Sequence, residues 1–151
     1  MIPKKIHFLW MSETKNEAVE RCLESWRHHL SDYEIIEWNK SNFPYEEFLF
    51  AREAYSKKKW AFVTDFFRLW VLEKYGGIYL DADVTVNGNF DKFLENKLFI
   101  GTEFTDQIAA HAIGAEPHHP FIQKCLEYYN DRHFILSNGR CDMNAMPCII
   151  T

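Results

Sequence analysis

The sequence predicts an α/β sandwich with a mostly parallel sheet, on three observations. Short apolar runs alternate with longer segments of helical spacing. The longest such segment, Trp60 to Tyr75, is apolar nearly all round and stops at Gly76-Gly77. A buried run, Ile78-Tyr79-Leu80, then leads straight into Asp81-Ala82-Asp83. At 151 residues the chain fits one domain, 1–151, with a core of its own.

The elements follow in order. Ile6 to Trp10, after Pro3, is expected to be a buried first strand, and Met11 to Lys15 a polar loop. Asn16 is placed to cap a helix whose apolar face is Val19, Cys22, Leu23, Trp26 and Leu30. Tyr33 to Trp38 reads as a second strand. Pro44 suits an early helical position, with Tyr45 to Tyr55 helical after it. Past the aspartates, Asn87-Gly88-Asn89 is a turn, Phe90 to Glu95 a short helix and Leu98 to Gly101 a strand. Ile108 to Ala115 fits strand or helix equally. Phe121, Ile122, Cys125, Leu126 and Tyr129 mark a helix after Pro120, and Pro147 to Thr151 reads as a strand.

Composition narrows the function. A net charge of -5, with Lys57-Lys58-Lys59 as the sole basic run, argues against a nucleic-acid partner. The triple lysine itself reads as the solvated start of a helix. Aromatic residues make up 17% of the chain, so most must be core, leaving a few rings free to stack on a ligand. Cys22, Cys125, Cys141 and Cys148 match no zinc or redox spacing; Cys22 and Cys125 occupy apolar helical positions. After Lys4 and Lys5 only Ile6 to Met11 is apolar, too short for a secretory segment. The expected location is the cytoplasm.

Asp81 and Asp83 carry the strongest chemical signal. In an extended chain residues two apart point the same way, so both carboxylates would face one side. Two close carboxylates repel unless a cation neutralises them, and Mg²⁺ or Mn²⁺ takes one or two carboxylates plus substrate phosphates. The plainer alternative is a solvated acidic turn. Asp65 and Arg68 lie one turn apart within the apolar helix. They read either as a mutual ion pair or as a pair facing a polar ligand, the arginine suited to phosphate and the aspartate to sugar hydroxyls. Trp10 ends the first strand, where open sheets build ligand crevices, and is either core or a platform for a flat base.

Together these blocks resemble glycosyltransferase family 32. The resemblance rests on Ala61-Phe62-Val63-Thr64-Asp65-Phe66-Phe67-Arg68-Leu69 and on Tyr75-Gly76-Gly77-Ile78-Tyr79-Leu80-Asp81-Ala82-Asp83. Ile2 to Trp10, Ser25-Trp26, Tyr33 to Trp38 and His111 to Phe121 fit as well. The family includes capsular-polysaccharide transferases and fungal mannosyltransferases, and the glucosyltransferase domain of large glucosylating bacterial toxins has a similar block. The resemblance implies a GT-A (nucleotide-diphospho-sugar transferase) fold, Rossmann-like, and a retaining transfer from a UDP- or GDP-sugar to an acceptor hydroxyl. It implies that Trp10 stacks on the base, and that Asp65 and Arg68 bind donor sugar and phosphate. Asp81 would contact the ribose, or the metal through water, and Asp83 would ligate Mn²⁺ or Mg²⁺ directly, the two being the expected catalytic and metal residues. His111 lies in a segment the family places near the donor sugar, and is a secondary candidate. The acceptor would be a carbohydrate or glycolipid of surface or capsular polysaccharide synthesis, bringing peripheral membrane contact.

Family members run further than Thr151, so the fold is expected to be incomplete at its C-terminus, and a non-catalytic sugar-nucleotide-binding remnant is the alternative. Ile78 to Thr85 also fits the strand-Asp-x-Asp-x-Thr pattern of haloacid-dehalogenase-like phosphatases, with Asp81 as nucleophile. That motif belongs near an N-terminus, and here it sits at the midpoint without a downstream lysine and acidic pair.

Overall fold

The computed structural model describes residues 1–103 and 107–150. Five strands form one sheet: β1 (Lys5–Leu9), β2 (Glu34–Trp38), β3 (Gly77–Leu80), β4 (Leu98–Glu103) and β5 (Gln107–Ala115). Their order is β2-β1-β3-β5-β4. Four of the five run the same way; β5 alone opposes its neighbours β3 and β4. The five α-helices are α1 (Glu17–His29), α2 (Leu49–Ser56), α3 (Trp60–Tyr75), α4 (Pro120–Glu127) and α5 (Met146–Ile150).

The period-two alternation of the strands divides the core into two layers. Ile6 and Phe8 of β1, with Ile78 and Leu80 of β3, pack on α1 through Val19, Leu23 and Trp26. Leu9 and Tyr79 point the other way, onto α2 and α3. Trp26 is fully buried, edge-on to Phe8 with ring centroids 5.3 Å apart. Asn16 caps α1 as its position predicts, its Oδ1 accepting from the Val19 N–H at 2.9 Å. Cys22 and Cys125 are buried, and all four cysteines are free thiols.

Helix α3 is buried from Phe62 to Leu72 except at Thr64. It ends at Gly76, whose φ of 62° and ψ of -167° suit only glycine. A Cβ there would meet the Pro117 ring at 2.5 Å, and one on Gly77 would meet the Lys5 carbonyl at 2.8 Å. The Gly-Gly joint therefore lets α3 hand the chain directly to β3 at the centre of the sheet.

Three expectations are corrected. The helix expected over Tyr45 to Tyr55 is broken: a 3-10 turn, Tyr45–Glu47, is followed by Phe48 in extended conformation, then α2. The Phe48 ring packs on Phe66 at 4.8 Å, and core packing outweighs local helix propensity. The short helix over Phe90 to Glu95 is a 3-10 turn, Asp91–Phe93. The last segment is helix α5 rather than a strand, with Pro147 in its first turn where a missing N–H costs nothing; Thr151 lies outside the described residues. Ile108 to Ala115, open between two states, falls in β5.

Candidate donor-binding cleft

Strands β1 and β3 are parallel neighbours, and the chain leaves their C-terminal ends at Trp10 and Asp81. Beyond β3 the backbone does not stay extended. The Val84 N–H donates to the Asp81 carbonyl at 3.0 Å, closing a turn over Ala82 and Asp83. This corrects the reason for expecting the two carboxylates to converge: a turn brings them together, not the pleat. The turn is fixed from both sides. On one, the Asp81 N–H donates to the His111 carbonyl at 2.9 Å. On the other, helix α1 holds it, with Trp26 Nε1 donating to the Val84 carbonyl at 2.7 Å and Ser25 Oγ accepting from the Val86 N–H at 3.0 Å. The backbone that presents the two carboxylates is therefore fixed before any ligand arrives.

Two connected compartments open there. The first, about 410 Å³, includes Trp10, Asn16 and Thr64 in its lining. The second, about 480 Å³, includes Asp65, His111, Ala145 and Pro147. Ala61, Arg68, Asp81 and Asp83 line both. All six residues singled out in the sequence therefore face one cleft. A groove of about 500 Å³ beside α4 and α5 is as large, but its charges Lys124 and Glu127 are spent on each other at 2.7 Å.

Arg68 organises the middle of the cleft. Its Nη2 lies 3.0 Å from Asp65 Oδ1 and 3.4 Å from Asp81 Oδ1. Its Nη1 donates to the Ala110 carbonyl at 2.7 Å, and its guanidinium covers the Tyr79 ring at 4.9 Å. Burial alone would lower its pKa; Tyr79, Asp81 and Asp65 outweigh that, so it is held above its ordinary value and stays cationic. Asp65 is 6% exposed, and its other oxygen accepts from the Met146 N–H at 3.0 Å. Burial pushes the Asp65 carboxyl up, while Arg68 and the Met146 N–H oppose the shift. The pair is thus a structural ion pair and a cleft wall at once.

In the sequence Tyr79 is marked only as a strand residue. Its buried hydroxyl donates to Asp81 Oδ1, and burial holds its pKa well above the usual value, so the proton stays in place. The signal was available, since residues two apart on a strand share a face. Trp10 is half-buried and donates Nε1–H to the Thr14 carbonyl at 3.2 Å across the loop after β1. Asp83 is exposed and makes no hydrogen bond or ion pair among the described residues.

The donor chemistry fits a hard divalent cation. Asp81 and Asp83 supply only oxygen ligands, and no group of three or more His, Cys, Asp or Glu side chains that could hold an ion exists among the described residues. Most of the coordination sphere is thus left to phosphate and water, the arrangement Mg²⁺ and Mn²⁺ use with nucleotides.

The chain is an α/β module whose cleft lies at the C-terminal ends of parallel strands and is walled by paired aspartates, and comparison with known proteins gives the family. Residues 16–100 match the family described as the glycosyltransferase sugar-binding region containing the DXD motif, and the chain belongs to it. It is 29% identical over 130 residues to inositol phosphoceramide mannosyltransferase 3 of Schizosaccharomyces pombe, covering 80% of this chain and 35% of that protein. It is 27% identical over 146 residues to mannosyl phosphorylinositol ceramide synthase SUR1 of Saccharomyces cerevisiae, covering 89% and 37%. The chain thus spans little more than a third of these relatives. The solved PaToxG glycosyltransferase superposes with a TM-score of 0.68 at 16% identity, covering 99% of this chain and 67% of that one. That likeness bears on the fold, which is GT-A.

Proposed function

We propose that the chain is the donor-binding part of a metal-dependent, retaining glycosyltransferase that draws on a UDP- or GDP-linked sugar. One observation carries the reading. The cleft sets Trp10 at one end, Arg68 with Asp81 and Asp83 in the middle, and Asp65 with His111 at the other. That is the order of base, diphosphate and sugar in a nucleotide sugar.

In this reading the Trp10 indole stacks on the base. Asp83, with the oxygen of Asp81 not engaged by Tyr79 and Arg68, would hold Mn²⁺ or Mg²⁺, which supplies neutralising charge for the leaving diphosphate. Arg68 adds a fixed positive charge beside the same phosphates, preorganised by Ala110 and the aspartates. Tyr79 keeps its proton and orients Asp81. Asp65 and His111 face the sugar, whose anomeric carbon becomes oxocarbenium-like as its bond to the diphosphate breaks. The acceptor hydroxyl then takes the diphosphate's place on that carbon with net retention. No side chain of this chain is assigned as a covalent nucleophile.

The relatives' names speak of mannose and of inositol phosphoceramide, which favours mannose as the sugar and a glycolipid head group as the acceptor over capsular polysaccharide. The test is turnover in the presence of Mn²⁺. Hydrolysis of a nucleotide sugar to sugar and nucleoside diphosphate, lost in Asp83→Asn, is expected. Release of inorganic phosphate from simple phosphomonoesters instead would point to phosphatase chemistry.

A further inference from the structure

The turn joining α2 to α3 stands out from the rest of the surface. Lys57, Lys58, Lys59 and Trp60 are consecutive and all exposed. Of the other lysines, Lys4, Lys5, Lys15, Lys40 and Lys124 each contact a carboxylate, and Lys74, Lys92 and Lys97, which form no ion pair among the described residues, are not consecutive in the chain. None of the three consecutive lysines makes an ion pair among the described residues, in a chain whose net charge is -5. The carboxylate next along α2, Glu53, turns away from them, accepting from the N–H groups of Phe134 and Ile135 and meeting His133.

The turn is also built to display these groups. The N–H groups of Lys57, Lys58 and Lys59 donate to the carbonyls of Glu53, Tyr55 and Ala54, so the backbone is pinned while the amines project. Lys58 takes a φ of 55°, a left-handed conformation costly for a lysine and tolerated in a tight turn. Trp60 is 40% exposed, and a row of rings braces it: Tyr55 at 5.2 Å, backed by Tyr45 at 4.3 Å from Tyr55. Its other side faces Trp10 and Met11 across a small hollow, and the next residue, Ala61, lines both compartments of the cleft. The patch therefore sits on the rim of the donor site.

We propose that Lys57, Lys58, Lys59 and Trp60 form a docking surface for an anionic membrane, holding the mouth of the cleft against its lipid acceptor. Ammonium groups meet anionic head groups by charge, and an exposed, braced indole belongs at the boundary between head groups and acyl chains. This rests on the glycosyltransferase reading with a lipid acceptor, and it names the surface that brings the two together.

The experiment is co-sedimentation with vesicles of phosphatidylcholine alone and of phosphatidylcholine mixed with phosphatidylinositol, at low and high salt. The wild type should pellet with the anionic vesicles only and be released by salt. Replacing the lysines together (Lys57→Gln, Lys58→Gln, Lys59→Gln) should weaken that partitioning on the order of 100-fold, and Trp60→Ala should weaken it further. Binding of UDP or GDP with Mn²⁺, measured on the same samples, should be unchanged in the triple variant, since none of the lysines lines the cleft. A wild type that ignores anionic vesicles, a triple variant that pellets like wild type, or binding to soluble dextran sulfate but not to vesicles would each overturn the proposal. A wild type that pellets with vesicles yet binds neither nucleotide would overturn the glycosyltransferase reading, and with it the purpose given to this surface.

Discussion

Arg68 touches Asp65 and Asp81 while donating to the carbonyls of Ala110 and Thr64, all from a position 6% exposed. Removing it strands a buried carboxylate at Asp65, so Arg68→Ala should cost about 3–5 kcal/mol in a denaturant titration. Arg68→Lys keeps the charge but not the planar fork that serves several acceptors at once, so it should regain part of the stability and little of the nucleotide affinity. Full stability in Arg68→Ala would show the pair to be idle. Trp10 separates two roles more sharply. Being half-buried at a strand end, Trp10→Ala should leave the fold intact and weaken UDP or GDP binding by about 5- to 150-fold, the loss expected for one stacked base. A variant that melts early but binds nucleotide with native affinity would make Trp10 a core residue. At this scale the sequence was informative about residue types and mute about partners. An aspartate and an arginine one turn apart announce themselves, whereas the second partner of Asp65 is the backbone of Met146, 81 positions away.

Among the elements, the joint between β1 and the end of α3 carries the clearest pH dependence. His7 is buried and neutral: its Nδ1 accepts from Trp38 Nε1 at 3.1 Å, so the proton sits on Nε2, which faces the Gly76 carbonyl at 3.0 Å. Burial lowers its pKa from 6.5 to about 4. The unfolded chain therefore takes up this proton more readily than the folded one. The contribution is fully present above pH 6.5 and is lost as pH falls toward about 4, the loss reaching about 3 kcal/mol at the acid end. Unfolding free energies measured from pH 7.5 to 4.5 in wild type and His7→Gln should converge toward acid; parallel profiles would contradict the assignment. Alternating apolar runs revealed β1, β2, β3 and the helices α1 and α3, because burial on a fixed period leaves a mark in sequence. It did not reveal the break at Phe48, which a distant ring contact decides, nor the reversed direction of β5, which depends on pairing between strands remote in sequence.

For the whole molecule, the fold delivers residues from β1, α3, the turn after β3 and β5 to one cleft, with a sheet whose parallel strands open at that end. The cleft's location was legible because both Trp10 and Asp81 fall at strand C-termini, where such sheets bind ligands. Its second compartment was not, since Ala145 and Pro147 are brought there by the packing of α5 on the core and the hydrogen bond from Met146 to Asp65, contacts remote in sequence. In the proposed function nucleotide and metal bind together, each completing the other's site, because Asp81 and Asp83 alone supply too few ligands to hold an ion firmly. Calorimetric titration of UDP and GDP in Mn²⁺ and in EDTA, on wild type and Asp83→Asn, tests it most directly. One of the two nucleotides should bind at least about tenfold more tightly with Mn²⁺, a coupling of about 1.4 kcal/mol or more, and Asp83→Asn should abolish the difference without lowering the melting temperature. Equal affinity in Mn²⁺ and EDTA, or a coupling that survives Asp83→Asn, would contradict it.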